Sequence, residues 1–285
     1  MRKRWKEVGL GLLTLLAIAL AIAGCQNAYR KHLPAEIGPL AIAATVLLVY
    51  LAGARWIERR RVRELEPGHA LPQLVSGLLL GLVLFSAVMA ILWATGVYHV
   101  SGWGGVHGLP GSLALAVMAG VVEELLFRGI LFRLSARIVG TWGALLFTSA
   151  LFGLAHLANP GATLSSSLAI MLEAGVLLGA AYAVTARLWL PIGLHIGWNF
   201  TEGSIFGMSV SGTGANAGWV RGSLSGPRLM TGGPFGPEAS IVAVVVCLLV
   251  AVYFLYRTVK LGRIEAPAWR HAPNPEEAMT PASLL

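Results

Sequence analysis

The chain has 285 residues, 56% of them hydrophobic and only 12% charged, with a mean hydropathy of +0.73. So little charge cannot cover a soluble domain, and the apolar residues come in uncharged blocks of the roughly 20 residues that a helix needs to cross a hydrocarbon core, which predicts an all-α, polytopic membrane helix bundle. The net charge of +8 comes from basic residues at the ends of those blocks, where they orient helices against anionic lipid, so it argues for a bilayer and against nucleic acid as a partner.

Taken in order, about eight spans are predicted. Arg2, Lys3, Arg4 and Lys6 precede an apolar run from Val8 to Gly24 that reads as a first helix or a signal segment. Ile22-Ala23-Gly24-Cys25 resembles a bacterial lipobox, so residues 1–24 could be a leader and Cys25 a lipidation site. Neither Cys25 nor Cys247 suggests a disulfide framework. The second block, Ile37 to Ala54, ends in a loop with Arg55, Arg59, Arg60, Arg61 and Arg63, cytoplasmic under the positive-inside rule. The third, Leu71 to Thr95, leads to an uncharged external loop, and the fourth starts near Ser112 behind Pro110 and Gly111, which suit a helix start. That block runs into Arg128, Arg133 and Arg137. The fifth, Thr141 to Leu157, stops at Asn159-Pro160-Gly161, and the sixth spans Leu164 to Ala186. The seventh, Leu188 to about Phe206, is followed by a Gly/Ser/Pro-rich stretch expected as a mobile external loop, and the eighth runs from Ala239 to Tyr256. The small-residue pairs Gly77/Gly81, Gly175/Gly179 and Gly193/Gly197 are expected to let helices approach closely.

Charge inside an apolar block needs a reason, since a carboxylate costs roughly 2.5–3.5 kcal/mol at the centre of a membrane helix. The fourth block nevertheless holds Glu123 and Glu124, and Arg128 follows four residues on. Glu124 and Arg128 share a helix face and should form an ion pair, whereas Glu123 is rotated about 100° away and is left to face a cavity, where a partly desolvated carboxylate suits a general base. Five histidines fall in loops or the tail; only His156 and His195 lie in apolar blocks. Phe152 precedes His156 by four residues and Asn199 follows His195 by four, so each pair shares a face. Glu173, alone in the sixth block, is expected to satisfy a buried histidine or arginine, and Glu202 to sit at a solvated helix end.

The ordered set Glu123-Glu124-x-x-x-Arg128, Phe152-x-x-x-His156 and His195-x-x-x-Asn199 resembles the motifs of the CPBP family of intramembrane proteases (CAAX proteases and bacteriocin-processing enzymes, also called the Abi family). The resemblance covers about Ser112 to Phe206. It implies an endopeptidase in which Glu123 activates water with help from His156, His195 and Asn199 stabilise the tetrahedral oxyanion, and Glu124, Arg128 and Phe152 support them. The family is commonly called metalloprotease, and Glu123, His156 and His195 could supply ligands to Zn2+; the HExxH pair of zincins is absent, so metal use stays open.

These readings divide the chain into N-terminal helices (1–111), a catalytic core (112–206), the mobile loop (207–238), a last helix (239–256) and a disordered cytoplasmic tail (257–285). The expected protein is an intramembrane peptidase of a bacterial plasma membrane, with both termini cytoplasmic, acting on a peptide or membrane-protein substrate. The rivals are a catalytically silent immunity or scaffold protein and a proton-coupled transporter; the inverted halves of the latter are not visible in the sequence.

Overall fold

The computed structural model describes residues 2–214 and 218–271. Apolar residues with few interior breakers give an all-helical bundle: α1 (Arg2–His32), α2 (Gly38–Ala52), α3 (Ala70–Ala94), α4 (Leu109–Glu124), α5 (Arg133–Ala155), α6 (Leu164–Ile170), α7 (Val176–Thr185), α8 (Trp189–Phe200), the single turn α9 (Arg228–Thr231) and α10 (Ile241–Lys260). Prolines in the first turns of α2 and α4, where no intrahelical donor is lost, set two starts, and Ser240 caps α10 by accepting from the Ala243 N–H. The helix α1 passes through Gly24-Cys25 without a break. Gly140 (φ 74) kinks α5 where the fourth and fifth predicted blocks meet.

Among the described residues, five stretches are long and apolar enough to cross a membrane: Trp5–Cys25, Gly38–Ile57, Arg63–Ala94, Leu164–Thr185 and Ile241–Lys260. Their outward faces leave Leu16, Leu20, Leu48, Val83, Leu249 and Val252 exposed, as lipid contact requires. The segments carrying Glu123, His156 and His195 are not among the five.

Among the described residues, four π-helical stretches widen the helices. Gly53–Ile57 ends α2, Leu125–Phe132 joins α4 to α5, Met171–Gly175 joins α6 to α7, and Thr201–Ile205 extends α8. A π turn loosens the carbonyl ladder and occurs often at functional sites. The Gly129 carbonyl inside the second stretch is taken up by Arg133 Nε (2.7 Å) and the Tyr50 hydroxyl (3.2 Å), and those of Ala174 and Gly175 by Arg128 Nη2 (3.2 and 3.0 Å). Each basic side chain thus satisfies backbone that the wide turn exposes.

The helices α3 and α8 are held in close contact by glycine. A Cβ on Gly77 would strike the Leu190 carbonyl and lie 2.7 Å from Leu194 N, and one on Gly81 would strike the Leu194 carbonyl and lie 2.6 Å from Trp198 N. Gly193 and Gly197 sit reciprocally on the Leu74 and Leu78 carbonyls. A Cβ on Gly175 would lie 2.9 Å from Ser149 and one on Gly179 2.6 Å from Leu145, so all three predicted glycine pairs serve close packing.

The expectation for two segments needs correction. The stretch 207–238, read as an unstructured loop, carries β2 (Val220–Leu224), which pairs antiparallel with β1 (Tyr98–Trp103) from the loop between α3 and α4. Both strands are short and interrupted by glycine, with a bulge between Val100 and Gly102, so they lack the alternation by which a strand is recognised. The same stretch inserts Phe235 and Glu238 into the interior. The tail, read as disordered from residue 257, instead completes α10 and then docks at the kink: the Thr141 N–H donates to the Glu265 carbonyl (3.0 Å), and the Glu265 N–H to Thr141 Oγ1 (2.8 Å). The remainder of the tail, 272–285, lies outside the described residues.

Candidate active site

Side chains from α8 and from the π stretch that follows α4 meet at Glu124. Its Oε1 accepts from Arg128 Nη1 at 2.8 Å, the ion pair expected from their spacing, and it also lies 3.0 Å from His195 Nδ1 on α8. The second contact was not foreseen, because nothing in a sequence shows which helices face each other. Both members of the pair are sealed from solvent, Glu124 at 0% and Arg128 at 1% exposure, so the two charges neutralise each other where water cannot. The Arg128 guanidinium also lies over the Phe152 ring, 4.8 Å from its centroid.

With Nδ1 donating to Glu124, His195 presents Nε2 on its other side, 4.0 Å from Glu123 Oε2. That carboxylate oxygen is itself buried with no hydrogen-bond partner, although the Glu123 side chain keeps partial contact with a cavity. The cavity, about 650 Å³, has Ser112, Ala119, Glu123, His195, Asn199 and Ser211 in its wall. Asn199, one turn beyond His195, also borders a second, enclosed space of about 20 Å³, room for one water, shared with Trp198, Glu173 and Glu238.

His156 stands apart. It ends α5 in a short 3-10 turn, its Nδ1 is 2.7 Å from the Phe152 carbonyl, and its ring lies 4.7 Å from that of Phe152. Phe152, whose ring is 6.3 Å from the His195 ring, is the shared neighbour of both histidines. No hydrogen bond joins His156 to Glu123 or His195. Among the described residues no group of three His, Cys, Asp or Glu is arranged to hold a metal ion, so Glu123, His156 and His195 as placed are not a ligand set.

Two acids depart from expectation. Glu173 meets no histidine or arginine; its Oε1 is 3.7 Å from Cys247 Sγ, with Glu238 nearby. Glu202, expected at a solvated helix end, is 0% exposed because the 207–238 segment folds over it and brings Glu238 against its carboxyl. Glu238, through its carboxyl and its backbone N–H, is the group packed against the Glu202 carboxyl. Burial pushes the Glu238 carboxyl above the usual range, against the lowering influence of Glu202 and of His156. The sequence signal for Glu238 was an acid placed directly before an apolar block. The cavity roof was equally unforeseen: Ser211, held at φ 49, accepts from Asn159 Nδ2 (2.9 Å), and the Gly212 N–H donates to the Phe235 carbonyl (2.8 Å).

Fold and site together define an integral membrane helix bundle around a cavity lined by glutamate and histidine. Residues 105–201, about a third of the chain, match the family model described as type II CAAX prenyl endopeptidase Rce1-like, a match that spans the three motifs and supports the resemblance to the CPBP/CAAX-protease family. Neither the curated proteins nor the solved structures gave a match to the chain.

Proposed function

We propose that this protein is an intramembrane endopeptidase that hydrolyses a peptide bond with a water activated by Glu123. The observation that carries the reading is the 4.0 Å gap between the unpartnered Glu123 Oε2 and His195 Nε2 at the cavity wall. A water about 2.8 Å from each would close it. Glu123 takes one proton from that water as its oxygen bonds to the substrate carbonyl carbon, and the same proton then passes to the leaving nitrogen as the C–N bond breaks. The oxyanion formed between these steps needs donors. Asn199 offers its amide, and His195, held through Nδ1 by Glu124, turns Nε2 toward the same point. His156, oriented by the Phe152 carbonyl, assists from the cavity end of α5. Since the candidate ligands do not converge, no step is routed through a metal.

The bundle crosses the membrane about eight times with both termini in the cytoplasm, in a bacterial plasma membrane, and its substrate is a peptide or membrane protein. The test is a comparison of peptide termini by mass spectrometry in membranes holding the native chain, Glu123→Gln or His156→Ala at matched expression. New termini should appear with the native chain and fall at least about 100-fold in both variants. Undiminished termini in both would remove the reading.

A further inference from the structure

The two ends of the bundle differ in charge. Of the 21 lysines and arginines, sixteen lie at the end formed by the start of α1, the loops around 53–63, 133–141 and 184–189, and the exit of α10. That this is a single end is shown by its cross-links: Arg137 with Glu7, Arg133 with Glu58 (2.6 Å), Arg187 with Glu66 (3.2 Å) and Thr141 with Glu265. Four lie at the opposite end, at positions 30, 31, 221 and 228, and Arg128 is buried between. Under the positive-inside rule the first end is cytoplasmic.

The cavity belongs to the other end. Its wall is made by Ser112 in the first turns of α4, by Asn159 beyond α5, and by Val210, Ser211, Thr213 and Gly214 of the segment after α8. Thr213 and Gly214 are exposed there. From the cytoplasmic end, the site is closed by the π stretch Leu125–Phe132 and the buried Tyr50, whose hydroxyl bonds Glu64 and the Gly129 carbonyl. Among the described residues the cavity lining includes Glu123 and no lysine or arginine. A neighbouring space of about 720 Å³, with Leu33, Pro39 and Ile42 in its wall, shares Ser112, Leu115 and Met118 with it.

We infer that the catalytic cavity opens on the extracytoplasmic face and takes an internal peptide bond at the outer flank of a membrane-anchored polypeptide, whose apolar part occupies the neighbouring space. The side of opening follows from charge and geometry alone; the substrate class rests on the peptidase reading.

The experiment uses the full chain in bacterial cells, with Cys25 and Cys247 replaced by alanine and one cysteine introduced. A membrane-impermeant maleimide should label Thr213→Cys in intact cells and His69→Cys, at the basic end, only after lysis. Val106→Cys and Leu261→Cys form a second pair should either variant fail to accumulate. The reverse pattern overturns the inference. The new termini of the comparison above should map to outer flanks of membrane proteins; termini on cytoplasmic segments overturn the substrate class. Outward labelling without any new termini would sink the peptidase reading and leave the orientation standing.

Discussion

Replacing Arg128 with methionine keeps the length of the side chain and removes its charge. The loss is large because the site is sealed: Glu124 would be left at 0% exposure without its arginine, and the Ala174 and Gly175 carbonyls, at 3.2 and 3.0 Å from Nη2, would lose their donor. Breaking a buried pair in this way costs about 3–5 kcal/mol, chiefly through the uncompensated carboxylate. The double variant Glu124→Gln/Arg128→Met removes that carboxylate as well, so it should recover about 2–3 kcal/mol relative to the sum of the single losses. Equilibrium unfolding in mixed micelles, followed by loss of helical signal, measures all four corners of the cycle. If Arg128→Met falls within about 0.5 kcal/mol of the native chain, or if the single losses simply add, the ion pair is not what holds the site helices together.

Gly81→Ala should cost about 1–3 kcal/mol, because its Cβ would lie 2.6 Å from Trp198 N and α8 would have to move; Gly24→Ala, with nothing within 4 Å, is the control expected to change little in the same melting experiment. Tyr98, outside the spans, has its hydroxyl pKa raised by burial, so it stays neutral in the fold at a pH where the unfolded chain has ionised it. Its contribution is therefore intact below about pH 10 and is lost as the pH rises toward the folded value, and Tyr98→Phe should flatten the fall in melting temperature between pH 8 and 11. Chelation of divalent metals should leave the new peptide termini in place; their loss on chelation and return with zinc would bring a metal back into the site.

The three motifs were legible because intramembrane charge is rare and a four-residue spacing converts directly into a shared helix face. Glu124 and Arg128 could be paired on that ground alone, and the distance between them follows from helix geometry. The bond from Glu124 to His195 joins residues 71 apart in the chain, and no local rule predicts it. Glu202 shows the same boundary from the other side. Its place near a helix end suggested solvent, and the chain that excludes solvent from it comes a few dozen residues later, in a stretch whose glycines and serines carry no periodicity.

Apolar block length, the flanking basic residues and the small-residue pairs are local or additive properties, and from them the sequence alone determined a membrane bundle, its polar interior positions and the glycine positions where helices approach closely. Only the tertiary structure decided that Glu124 orients His195, that Glu238 covers Glu202, that β1 and β2 pair over the cavity end, and that Glu123 keeps an unpartnered oxygen at the cavity wall. Each of these depends on which helix faces set against one another, and that is settled by packing all the helices at once.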